Sequence, residues 1–209
     1  MHPSTLTEVS IGGPVGSIDV AINDPGAARR GIALIAHPHP LQGGTRDNKV
    51  VTTLARAFFS LGYCAARPNF RGVGRTQGVH DHGNGEADDL TAVAAALRSR
   101  FGDLPLALAG FSFGAFVQTR VARRVAPKRL ALIAPAVDRF DAEAVAEDTL
   151  IVHGDQDDVV PLPKVLAWAG AQKLSVQVVP GGEHFFHGRL TQLHRIVVHW
   201  WLGHEAGKA

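Results

Sequence analysis

Leu104-Pro105-Leu106-Ala107-Leu108-Ala109-Gly110-Phe111-Ser112-Phe113-Gly114-Ala115 joins an apolar run to an alanine- and valine-rich stretch that continues to Val125. The first part reads as a strand buried on both faces and the second as a helix. Ser112 falls at the junction, within Gly-x-Ser-x-Gly. A serine hydroxyl is a poor nucleophile unless it is exposed beside a base. A sharp strand-to-helix turn exposes it, at the cost of a strained serine backbone. The residues two before and two after must then be very small. The helix N-terminus would direct free N–H groups at a negative charge forming above Ser112.

Outward from this turn, strand and helix patterns alternate. Leu6 to Ile11 and Ser17 to Ile22 flank Gly12-Gly13-Pro14 and predict an N-terminal antiparallel hairpin. Strands are expected at Gly31–Ala36, Tyr63–Arg67, Arg129–Ala134, Thr149–His153 and Leu174–Val179. Helices are expected from an Asp47 N-cap to Leu61, and over Gly85–Phe101, Pro163–Lys173 and Gly188–Leu202. The last would bury Leu190, Leu193, Val197, Trp200 and Trp201. The tail Glu205–Ala209 is expected to fray. Short β-to-α connections imply a mostly parallel sheet with helices on both faces. The 209 residues suit a single α/β domain over 1–209.

Composition narrows the function. A net charge of +2, with basic residues scattered, gives little support to nucleic-acid binding. No run is long enough to span a bilayer, and Met1-His2-Pro3-Ser4-Thr5 lacks an apolar targeting segment. A cytoplasmic location is therefore expected, in accord with the single Cys64, which lies in a predicted strand. Oligomeric state is left open.

In a parallel sheet, ligands bind at the carboxyl ends of the strands. His37, His39, Asn69, Arg71, Ser112, Asp155–Asp158 and His184 all follow strands. Of 11 histidines, His184 is the expected base, because Gly181-Gly182 before it makes a flexible turn and Phe185-Phe186 after it offers packing. His187 is its near rival. The carboxylate that orients it should come from Asp155, Asp157 or Asp158, among which spacing does not choose. An oxyanion needs two N–H donors. Phe113 supplies one. In His37-Pro38-His39-Pro40-Leu41 the prolines have no N–H, so the His39 amide is the expected second donor, with Leu41 behind it. The pairs His37/His39 and His80/His82 have a metal-like spacing but incomplete ligand sets, and no phosphate-binding loop is present. No metal or cofactor is expected.

Together these residues resemble the α/β-hydrolase superfamily, in the chain order nucleophile, acid, histidine. Ala36-His37-Pro38-His39-Pro40, Gly43-Gly44-Thr45, Asn48-Lys49-Val50-Val51 and Asn69-Phe70-Arg71-Gly72-Val73-Gly74-Arg75-Thr76 are similar to a group of small lidless bacterial carboxylesterase-like hydrolases. Thr76 stands where that group more often has serine, which keeps a hydroxyl. The resemblance implies an α/β-hydrolase fold without a large cap. It selects Asp157, through Gly154, Asp157, Val160 and Pro161, as the acid, and implies Ser112, Asp157 and His184 as the catalytic set. The implied activity is hydrolysis of a small carboxylic ester or thioester through an acyl-enzyme. The alternatives are a peptidase, an acyl-CoA thioesterase using Arg71, Arg75 and Arg189 against phosphates, or a non-catalytic binding protein.

Overall fold

Eight strands, numbered along the chain, form one sheet. The computed structural model describes residues 5–206. β1 (Thr5–Gly13) and β2 (Gly16–Asp24) form the expected hairpin, closed at Gly13 and Gly16. β2 also pairs antiparallel with β4 (Tyr63–Pro68). The remaining pairings are parallel: β3 (Gly31–Ala36) with β4 and β5 (Leu106–Phe111), then β6 (Arg129–Ile133), β7 (Leu150–Gly154) and β8 (Gln177–Val179).

Period-two alternation sorts the central strands onto two cores. Ile32 and Leu34 of β3, with Leu106 and Leu108 of β5, join one cluster. Helices α2 (Asn84–Phe101) and α3 (Phe113–Val125) cover it. Ala33 and Ile35, with Ala107 and Ala109, face the other cluster. There lie α1 (Lys49–Ser60) and α5 (Leu190–Ala206). Both faces are thus buried, which explains why these strands read as continuous apolar runs. In α5, Leu193, Val197 and Trp201 are fully buried, while Leu190 and Trp200 pack at the edge. The Trp201 indole donates to the Tyr63 hydroxyl at 3.1 Å and meets Phe58 edge-on at 4.8 Å. α4 (Leu162–Ala171) lies against β7.

Several element boundaries shift by one to four residues from expectation, and three of the shifts bear on the account. The N-cap of α1 is Asn48, whose side chain accepts from the Val50 amide at 2.9 Å. Asp47 instead accepts from the Arg67 guanidinium at 3.1 Å. The last strand is shorter than Leu174–Val179, because the Leu174 amide turns back to the Ala169 carbonyl and finishes the preceding helix. Glu205 is helical rather than frayed, and residues 207–209 lie outside the described residues.

β3 is followed by β4 on one side and β5 on the other. Chain direction across the sheet reverses between β3 and β5, which opens a crevice at their carboxyl ends. The loops after β3, β5, β7 and β8 meet there.

Candidate active site

Ser112 is the hinge between β5 and α3. Its backbone sits at φ 56° and ψ −119°, a region L-residues seldom occupy. The turn is tolerated because its flanks have no side chains. A Cβ on Gly110 would collide with the backbone of Gly114 and Ala115, and one on Gly114 with the carbonyls of Ala36 and His37. The Ser112 amide donates to the Ile133 carbonyl at 2.9 Å, which fixes the turn against β6. The fully buried Gln118 ties α3 down by donating to the carbonyls of Leu34 (2.9 Å) and Ala109 (3.0 Å).

His184 arrives from the loop after β8. Its Nε2 lies 3.0 Å from Ser112 Oγ, and its Nδ1 lies 2.7 Å from Asp157 Oδ2. Because the carboxylate accepts, Nδ1 carries the hydrogen and the Nε2 lone pair faces the hydroxyl. Phe186 is wholly buried and anchors this loop, whereas Phe185 is exposed. Phe111 supports the imidazole, with ring centroids 4.9 Å apart. His187, the rival, is exposed and pairs with Glu183 at 3.1 Å.

Asp157 uses its other oxygen on its own loop: Oδ1 accepts from the amides of Val159 (2.9 Å) and Val160 (2.8 Å). Burial opposes its ionisation, but the bonds from His184 and the Val160 amide prevail and hold the carboxyl below its ordinary range. Asp155 is spent on the Gly181 amide, and Asp158 is exposed. The fully buried His153, one residue before Gly154, gives its Nε2–H to the Val160 carbonyl at 2.9 Å and lies 3.5 Å from Asp157 Oδ2.

The loop after β3 is held by His37. Its Nε2 accepts from the Phe70 amide at 2.9 Å, so its Nδ1 donates to the Pro38 carbonyl at 2.7 Å. Burial pushes its pKa down to about 4, against the opposing bond to Pro38. Both ring nitrogens are committed to the backbone, which accounts for one member of the His37/His39 pair. The Leu41 amide donates to His39 Nδ1 at 3.2 Å, whereas the His39 amide has no acceptor among the described residues. The Phe113 amide, at the first position of α3, has no intrahelical acceptor. The side-chain rings of His39 and Phe113 lie with their centroids 4.8 Å apart.

The Asn69–Thr76 segment braces the site. Arg71 forms two 2.8 Å bonds to the buried Asp89. Asn69 accepts from the Arg46 amide, and the Thr76 hydroxyl donates to the Asn69 carbonyl. That hydroxyl also accepts from the Asp19 amide, so the segment needs a hydroxyl at this position. Cys64 is buried with its thiol pushed up to about 12, chiefly by desolvation.

Ser112 opens onto a cavity of about 90 Å³ whose wall includes Phe113, Phe140, Arg139, Gln42 and Val160. Arg139, Phe140 and Gln42 are not evident from sequence patterning. Arg139 and Phe140 lie on an irregular segment and Gln42 ends a single 3-10 turn, Pro40–Gln42, so only the fold brings them to the serine.

A nucleophile elbow at the switch point of a mostly parallel sheet, with a histidine and a carboxylate in line behind it, defines an α/β hydrolase. The sequence profile of the serine aminopeptidase S33 family matches residues 41–147, and the chain belongs to that family. The structure resembles a lidless α/β serine hydrolase from Xanthomonas campestris (39% identity, TM-score 0.88, covering 96% of this chain and 95% of that one). It is equally close to an α/β serine hydrolase homologue from Coxiella burnetii (41% identity, TM-score 0.88, 95% and 99% covered). An uncharacterised protein of Rickettsia prowazekii is 30% identical over 207 residues, covering 92% of this chain and 87% of that one. As in the lidless relative, no cap covers the site among the described residues, and no described helix is long and apolar enough to cross a membrane.

Proposed function

We propose that this protein is a serine esterase that cleaves small carboxylic esters through an acyl-enzyme. The observation that carries this reading is the unbroken line from Ser112 Oγ to His184 (3.0 Å) to Asp157 (2.7 Å) on a strained elbow. Ser112 attacks the ester carbonyl while His184 Nε2 takes its proton. Asp157 holds the ring tautomer and stabilises the imidazolium. The Phe113 and His39 amides bind the oxyanion, each worth about 3 kcal/mol in the transition state. His184 then returns the proton to the departing alkoxide. It next deprotonates a water that attacks the acyl-serine, and the serine recovers its proton.

The family's description raises an aminopeptidase as the second reading. Such an enzyme needs an acidic partner for the substrate ammonium, and no carboxylate lines the described cavity beside Ser112. The thioesterase reading loses support because Arg71 is paired with Asp89, and Arg75 with Glu8 and Asp19. A cavity of about 90 Å³ favours short acyl chains. Hydrolysis rates of p-nitrophenyl esters from two to sixteen carbons test this. A maximum at the short end is expected, and a preference for long chains would contradict it. Faster release from aminoacyl-p-nitroanilides than from any ester would favour the peptidase.

A further inference from the structure

The wall of the cavity beside Ser112 is mostly apolar but carries three side chains that donate hydrogen bonds. Arg139 lies in the loop after β6 and lines the cavity with His39 and Gln42. One Arg139 Nη2 hydrogen goes to the Val159 carbonyl at 3.0 Å, and Nε lies 3.5 Å from Asp138. Nη1 has no partner among the described residues, so one edge of the guanidinium fork is uncommitted. His39 Nδ1 accepts from the Leu41 amide, so its Nε2 carries the hydrogen and is also a donor. The Gln42 amide adds two more donor hydrogens and one acceptor oxygen. The other lining side chains, apart from Ser112, are apolar: Phe113, Ala136, Phe140, Val159 and Val160.

Three donors on an otherwise apolar wall, one of them a guanidinium with a free edge, suit a group that only accepts. A carboxylate matches the planar fork. His184 does not line this cavity, whereas both proposed oxyanion donors do. The moiety that enters it is therefore the acyl group, and the alcohol departs on the His184 side.

We propose that the preferred substrates are half-esters of short dicarboxylic acids, with the free carboxylate of the acyl group held by Arg139 and assisted by His39 and Gln42. This rests on the reading of Ser112 as nucleophile. The structure assigns Arg139 to specificity, with no part in bond making.

The test compares monoethyl succinate and monoethyl glutarate with ethyl butyrate and ethyl pentanoate, followed by NMR at fixed ionic strength. The half-esters should show at least about a tenfold higher kcat/KM, the worth of one charge-assisted hydrogen bond. Arg139→Met should bring the charged-to-neutral ratio down to about one or below, mainly through KM. Arg139→Lys should restore part of the ratio. Equal or faster turnover of the neutral esters by the unaltered enzyme would overturn the proposal. So would an Arg139→Met enzyme that slows all four esters alike, since Arg139 would then only secure its loop to Val159. If Ser112 is labelled by a fluorophosphonate and the neutral esters are turned over without charge preference, this inference alone fails. If no ester is hydrolysed and no label attaches, the esterase reading fails and takes this one with it.

Discussion

Gly114 lies so close to the end of β3 that a side-chain carbon on it would overlap the carbonyl oxygen of His37. This contact lets α3 begin against the loop that carries the His39 amide, and so brings His39 and Phe113, the two proposed oxyanion donors, close together.

Gly114→Ala should therefore damage both stability and activity, because backbone atoms on both sides have nowhere to move. Gly170 in α4 is the control: it is exposed, and a Cβ there would meet nothing within 4 Å. Gly170→Ala should raise stability by about 0.5–1 kcal/mol. Urea unfolding midpoints and ester turnover measured together would separate the two.

Asp157→Asn should leave the fold nearly intact, because Oδ1 can still accept from the Val159 and Val160 amides. The new amide nitrogen would face His184 Nδ1 as a donor and impose the wrong tautomer. A loss of about four orders of magnitude in kcat is expected, with an unchanged circular dichroism spectrum.

The elbow, the hairpin and the sheet class were legible because each rests on local chemistry. Glycines must flank a strained serine, alternation marks the hairpin, and continuous apolar runs mark strands covered on both faces. The preference for His184 rests on the paired glycines before it and Phe185-Phe186 after it, of which Phe186 is buried, while the near rival His187 is exposed. Spacing did not separate Asp157 from Asp155 and Asp158, since all three occupy one turn and only tertiary contacts distinguish them. Asp47 and Asn48 are both good caps. Which one caps α1 is decided by Arg67, 20 residues away, which takes the aspartate. The cavity wall was the least legible part, because the segment carrying Arg139 and Phe140 has no periodicity.

Acid should weaken the fold through His37. Its pKa is about 4 when folded, against 6.5 when free, so the unfolded chain binds the proton more readily between these values. Stability is complete above about pH 6.5 and declines as pH falls towards 4, by up to about 3 kcal/mol from this ring. His153, whose pKa is also lowered by burial, adds in the same direction. Denaturant unfolding from pH 7.5 to 4 checks this. His37→Gln should flatten the slope, and an unchanged slope would contradict the assignment.

Arg71→Ala should cost about 3–5 kcal/mol by leaving the Asp89 carboxylate buried and unpaired. Replacing the pair together, as Arg71→Met with Asp89→Leu, should cost distinctly less. A thermal-shift series of the two single variants and the double variant resolves the coupling.

The most direct measurement is intact-mass and peptide mapping after treatment with a fluorophosphonate. One adduct per chain is expected, on Ser112, with none on Ser112→Ala and very slow labelling of His184→Ala, while both variants keep their fold. An adduct on another residue, or normal labelling of Ser112 in the absence of the His184 imidazole, would contradict the account.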